Sequence, residues 1–302
     1  MTSKNNIGDY QFPATDCISV FCELMEVKAE QLGLSLNTLF NDPCGIDNYS
    51  TAKDMARCLI RGNESCVLKE IWSKDKYVVK VFGENAREIE ILSTVKSDSD
   101  SHILTDSYEI SGGKTGTLSP YGAFNISFIA KIPGSEELLA CTVMYAKEKN
   151  GFSKNRFQAA KEALDIAVKK YKDDSFDTSA CEVCADNIFV CVVPPVASSD
   201  EYHAKLRVLF EKESVERKMP ASMTKILTAI IALENLNDLD EKICVSQDVI
   251  DIIPDKFYHK DFLAGDVVTV RDVLHAMMLS SSNAGAYIIA NHVGNKIFSD
   301  NM

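Results

Sequence analysis

The spacing of apolar positions changes several times along this chain, and each change marks an element. In FCELMEVKAEQLGL, Phe21, Leu24, Met25 and Leu32 fall near one helical face, and Gly33 is a plausible stop. STAKDMARCLIRG at 50–62 predicts a second helix, with Ser50 as its cap and Gly62 just past its end. Residues 66–110 are mixed, with a strand-like YVVKVF and a polar KSDSDS that reads as an exposed loop. Then the period drops to two. Phe124, Ile126 and Phe128 alternate, Pro133-Gly134 makes a turn and a second apolar run follows, which predicts a β-hairpin over 121–146. FSKNRFQAAKEALDIAVKKY returns to an amphipathic helix, and NIFVCVVPPV begins a new strand near 188–193. Farther on, Ile226, Ala229, Ile230 and Leu233 line a helix behind Pro220, and helical runs Val270–Met278 and Ala284–His292 flank a Ser-Ser-Asn break.

Composition narrows the class. The 302 residues are 46% hydrophobic and 25% charged, ordinary for a globular protein with a real core. A net charge of −12 argues against a broad nucleic-acid surface, which needs surplus Lys and Arg. No stretch approaches the ~18 consecutive apolar residues of a membrane span, so no transmembrane anchor is expected. Residues 1–16 read as a loose polar leader without the apolar core of an export signal. The ten cysteines are scattered, and one tight pair, Cys181 and Cys184, has Cys191 nearby. A structural zinc site needs four ligands at close spacing. With no second such pair and dispersed histidines, packing or loop thiols are expected and no metal. The acidic, small-residue stretch 172–187 reads as a linker.

Three short stretches carry candidate chemistry. In SGGKTGTLS, Lys114 and Thr115 follow glycines as in a phosphate-binding loop, but that loop needs a glycine where Tyr108 stands and must lead into a helix. Here the loop leads into an antiparallel strand, so a nucleotide site is rejected. In MPASMTK, Ser222 lies near a helix N-terminus and Lys225 is one turn on, on the same face. A desolvated lysine can accept a serine proton, and the helix dipole favours negative charge at the serine. In SSSNAG, Ser281 and Asn283 sit between two helices, where a simple loop and cap would use the same residues.

Together, S-x-x-K, S-x-N and K-T-G form the signature set of penicillin-recognising serine enzymes. RKMPASMTKILTA, LAGDVVTVRDVLHAMMLSSSNAGA and GGKTGT resemble the low-molecular-weight D-alanyl-D-alanine carboxypeptidases, and MEVKAEQLGLSLNTLFNDPCGIDN resembles a further segment of them. Relatives usually have Ser-Gly-Asn-Asp where this chain has Ser-Ser-Asn-Ala. The resemblance implies an α+β, β-lactamase/transpeptidase-like fold: an antiparallel sheet flanked by helices, plus a helical subdomain. It implies Ser222 as nucleophile, Lys225 as general base, Ser281 as proton relay and Asn283 as a hydrogen-bond partner of the substrate amide. Lys114 would supply positive potential, Thr115, Gly116 and Thr117 would bind substrate, and Lys147 would assist carboxylate binding. The implied reaction is removal of the terminal D-alanine from peptidoglycan-type peptides through an acyl-enzyme, with β-lactams as further ligands and no cofactor. A β-lactamase and a non-catalytic binding relic are the alternatives. Such a reaction implies an extracytoplasmic site, while the cysteines and the polar start fit either the cytoplasm or a chain whose export signal has been removed, so the compartment stays open. The motif order is inverted, with Lys114 before Ser222 and Ser281. Residues 17–171 resemble the family's C-terminal half and 188–302 its N-terminal half, so the chain is expected to be circularly permuted, with 172–187 joining two halves of one catalytic domain.

Overall fold

The structure, a computed structural model, describes residues 12–147, 152–195 and 206–300. In chain order its elements are α1 (Ala14–Gln31), α2 (Ala52–Gly62), α3 (Cys66–Ser73), β1 (Lys76–Val81), β2 (Arg87–Leu92), the short α4 (His102–Thr105), β3 (Ile110–Leu118), β4 (Ala123–Lys131) and β5 (Leu138–Ala146). There follow α5 (Phe152–Lys172), β6 (Ala185–Val192), β7 (Val208–Lys212), α6 (Lys225–Asn235), β8 (Lys242–Cys244), α7 (Gln247–Asp251), β9 (Val267–Thr269), α8 (Val270–His275) and α9 (Asn283–Asp300).

Five strands form one antiparallel sheet in the order β3-β4-β5-β6-β7; β3, β4 and β5 precede the expected linker, and β5 pairs with β6, which already begins at Ala185 inside the 172–187 stretch. Both faces are covered, which is why β4 is buried along nearly its whole length instead of alternating between core and water. Ile126, Phe128, Cys141, Val143, Ile188 and Val190 point to the α5 side, where Phe157, Ala160 and Leu164 pack on them. Ile129, Ala140, Met144 and Phe189 point the other way, into a larger core with α1, α2, α6, α8 and α9. This is the α+β arrangement, antiparallel sheet flanked by helices, that the resemblance implies.

Several boundaries depart from the sequence reading. The first helix begins at Ala14, so the expected leader can extend no farther than 13, and residues 1–11 lie outside the described residues. Gly33 does end α1: its φ is +60° and the Leu34 N–H returns to Ala29 O at 3.0 Å. In α2 the cap is Thr51, whose side chain accepts from Asp54 N, and Gly62 is the last helical residue. Ser50 is one place too early and instead exchanges backbone bonds with Lys218 at 2.8 Å each way. The Lys-Thr-Gly stretch is no loop, since all of 110–118 is strand β3. The KSDSDS stretch is irregular but mostly half-buried, with Ser101 buried. The run expected to stay α-helical to Met278 becomes a π-turn over Ala276–Ser280, a feature common at functional sites.

Helices α1 and α9 lie in direct contact. A Cβ at Gly294 would stand 2.4 Å from Cys17 O, so glycine is required for that approach. Phe12 N donates to Asn295 Oδ1 at 2.9 Å, and the Phe12 and Phe298 rings stack with centroids 4.7 Å apart. No two cysteines are bridged: Cys17, Cys44, Cys58, Cys141 and Cys191 are buried, Cys22, Cys181 and Cys184 half-buried, Cys66 and Cys244 exposed. Among the described residues no helix is long and apolar enough to cross a membrane.

Candidate active site

Ser222 sits on a 3-10 turn, Ala221–Thr224, that opens α6. The residue before it, Ala221, has φ +52°, a left-handed conformation that its Cβ disfavours. Neighbours on both sides hold it there. A Cβ at Gly45 would lie 2.0 Å from Ala221 O, and one at Gly116 of β3 would lie 2.5 Å from Pro220 O. From β4, Asn125 donates to Met219 O at 2.9 Å and Pro220 O at 3.1 Å, and its own oxygen accepts from Tyr145 N at 2.9 Å. The turn is thus clamped between the sheet and the 42–48 loop, which is itself wound on the Asp42 carboxylate through the N–H groups of Cys44, Gly45, Ile46 and Asp47.

Lys225 is fully buried. Its Nζ lies 2.8 Å from Ser222 Oγ, 3.0 Å from Cys44 O and 2.7 Å from Asn283 Oδ1. None of these partners is a carboxylate, and desolvation pulls the ammonium below the ordinary lysine range. The geometry serves both charge states. An ammonium donates to all three oxygens. A neutral amine keeps two donors for Cys44 O and Asn283 Oδ1 and turns its lone pair to the Ser222 hydroxyl. The other end of the Asn283 amide donates to Phe257 O at 2.9 Å. Ser281 has φ +68°, a sharp exit from the π-turn, and Ser282 Oγ accepts from Gly285 N at 2.8 Å as α9 starts.

Strand β3 borders this turn as the free edge of the sheet. Lys114 is fully buried, and its Nζ donates to Thr115 O at 3.1 Å. Desolvation, and after it the Lys225 and Arg156 charges, drive it well below the usual lysine range. Thr115 donates to Thr94 Oγ1 at 2.8 Å, and Thr117 Oγ1 accepts from Arg156 Nη2 at 2.6 Å. Arg156, from α5, is also buried, and desolvation lowers it to about 10. Three buried basic side chains therefore lie around β3, and among the described residues none of them has a carboxylate in hydrogen-bond contact.

In front of them opens a cleft of about 530 Å³. It is lined by Thr115, Thr117, Ser119 and Tyr121, by Lys256, Phe257 and His259, and by Ser222, Ser281 and Asn283. Lys114, Gly116 and Lys225 are buried behind that surface. Eight of the nine residues singled out in the sequence thus belong to the cleft or its immediate backing. Lys147 does not: it is largely exposed and ion-paired with Asp186 at 2.9 Å, so its expected part in carboxylate binding is withdrawn. Sequence reasoning missed Asn125, Arg156, Thr94 and the Cys44 carbonyl. No local pattern marks them, since each acts across a distance in sequence. Among the described residues no cluster of His, Cys, Asp and Glu suited to a metal ion occurs.

The comparisons with known proteins agree with this picture for the second part of the chain. Residues 202–302 match the D-alanyl-D-alanine carboxypeptidase family. A D-alanyl-D-alanine carboxypeptidase from Streptomyces sp. is 36% identical over 89 residues, which is 28% of this chain and 30% of that relative. The carboxypeptidase match contains Ser222, Lys225, Ser281 and Asn283 but stops far short of Lys114. No solved structure matches the chain.

Proposed function

We propose that the protein is a serine-type D-alanyl-D-alanine carboxypeptidase working through an acyl-enzyme on Ser222. The observation that carries the reading is the Ser222–Lys225–Asn283 constellation at the floor of the cleft, with Lys225 buried, stripped of any carboxylate partner and 2.8 Å from the serine oxygen. Neutral Lys225 takes the Ser222 proton as Oγ attacks the penultimate D-alanine carbonyl. Backbone N–H groups of Ser222 and Thr117 stabilise the oxyanion, the kind of preorganised donor pair that supplies a large part of such catalysis. Ser281 relays the proton to the departing D-alanine nitrogen as the C–N bond breaks, and Asn283 orients the substrate amide. The terminal carboxylate meets the Thr115 and Thr117 hydroxyls, drawn by Lys114 and by Arg156 behind Thr117. Water then cleaves the ester and frees Ser222. Penicillins acylate the same oxygen, because the lactam carbonyl occupies the place of the scissile amide.

Intact-mass spectrometry after incubation with benzylpenicillin tests this. Wild type gains one adduct mapped to Ser222, Ser222→Ala gains none, and peptides ending in D-Ala-D-Ala lose D-alanine. Folded protein with neither adduct nor D-alanine release would point to a non-catalytic relic, and rapid lactam turnover without a lasting adduct to a β-lactamase.

We also infer that one chain supplies the whole site in permuted order. Residues 202–302 match the family while Lys114-Thr115-Gly116 precedes them, and a single sheet unites strands from both sides of 172–187. The contact of α1 with α9 fits a joint between segments that are consecutive in relatives, although Met302, expected near that joint, lies outside the described residues.

A further inference from the structure

One segment lining the cleft has a chemistry of its own. It is formed by the 3-10 turn Asp255–Phe257 and by His259 just beyond it. Lys256 and His259 are exposed and line the cleft, and no Asp or Glu does. Lys256 has no ion-pair partner among the described residues; its ammonium lies 4.9 Å from the centre of the neighbouring Phe257 ring. In a protein of net charge −12, an unpaired cation in a cleft without carboxylates is a local reversal of sign.

The turn that carries Lys256 is tied to the reacting centre. Phe257 O accepts from Asn283 Nδ2 at 2.9 Å, and Asn283 Oδ1 binds Lys225, which binds Ser222. The turn is closed on itself by Phe257 N to Pro254 O at 2.8 Å and Tyr258 N to Asp255 O at 3.2 Å. Behind it, Arg87 of β2 grips Asp266 through both nitrogens at 2.9 and 2.7 Å and holds Asp261 O at 3.0 Å. With the terminal carboxylate met by Thr115, Thr117 and Arg156, as proposed above, Lys256 lines the same cleft with no ion-pair partner among the described residues and is left for another anion.

We infer that Lys256 is a specificity-determining residue that selects acyl donors with a carboxylate side chain on the residue preceding the D-Ala-D-Ala pair, and disfavours donors with an ammonium there. This rests on the carboxypeptidase reading of the same cleft. His259 adds a ring N–H to the anion site. The pair is open to solvent, so it acts by modest attraction and by repulsion of the wrong charge, and it weakens with salt.

Three acetylated peptides, glutamyl-, glutaminyl- and lysyl-D-Ala-D-Ala, test the inference. They are compared by kcat/KM for D-alanine release with wild type and by calorimetric Kd with Ser222→Ala, at low and high salt. Glutamyl should exceed lysyl by roughly tenfold at low salt, with glutaminyl between, and the gap should narrow in ~1 M salt. Lys256→Glu should reverse the order and Lys256→Arg should keep it. Equal values for the three peptides, or an order that survives Lys256→Glu, would overturn the inference. The same binding order without any turnover by wild type would sink the carboxypeptidase reading and leave the anion site standing. Failure of all three peptides to bind would remove both.

Discussion

Lys225 is buried among neutral oxygens, and that decides how it titrates. A charge in such a place has lost its water without a hydrogen-bonded carboxylate in exchange, so burial moves the lysine below its ordinary range. If the neutral amine is the base, acylation of Ser222 is absent at low pH and appears as pH rises through the lowered pKa. A stopped-flow pH profile with a chromogenic lactam should therefore have its basic limb centred below the ordinary lysine value of about 10.4. A limb at that value would mean that burial does not lower this lysine in the working enzyme. Asn283→Ala should move the limb and slow acylation, since it removes one of the three oxygens that hold Nζ. Ser222 and Lys225 were legible in the sequence because three helical residues bring them together, and that is a local rule. Arg156 and Asn125 were not. Both act on chain segments more than 30 positions away, and each reads locally as ordinary: Asn125 as a polar residue between Phe124 and Ile126, Arg156 as part of a polar run that opens a helix.

Among the elements, β3 and the 3-10 turn before α6 depend most closely on each other. They meet backbone to backbone at Gly116, where any Cβ would press on the Pro220 carbonyl 2.5 Å away. Gly116→Ala should force the turn and the strand apart, and a misplacement of about 1 Å costs on the order of 100-fold in rate. The control is Gly134→Ala in the β4–β5 turn. There φ is +81° but nothing lies within 4 Å, so stability should fall by about 1–2 kcal/mol with acylation unchanged. Equal acylation by the two variants would show that the close approach does not matter. The β4–β5 hairpin and the long helices were readable from period and turn residues. The strand nature of 110–118 was hidden by Gly112, Gly113 and Gly116, which weaken a strand pattern. Two of these glycines are there so that Trp72 and the Pro220 turn can come close, a requirement set by tertiary contact.

For the whole molecule, the layered build sorts the ten thiols. In denaturant all ten should titrate as free. In the native protein Cys66 and Cys244 should react first, and the five buried thiols should wait for unfolding. A denatured count near eight or six would reveal a bridge or a bound metal. If the chain completes its own cleft, the penicillin adduct should form on a monomer at one per chain, as read by light scattering with intact mass. Adduct confined to dimers would mean exchanged segments. A last consequence comes from Asn283, whose amide joins the cleft wall to the lysine. An amide is flat and rigid, so its two ends cannot move independently. Any ligand that pushes the Phe257 turn outward tugs the oxygen on Nζ, and any proton arriving on Nζ tightens the hold on that turn. Aperture and basicity should therefore be linked through this one amide. An empty cleft and a filled one should differ in the readiness of Ser222 to lose its proton, before any bond to carbon has begun to form.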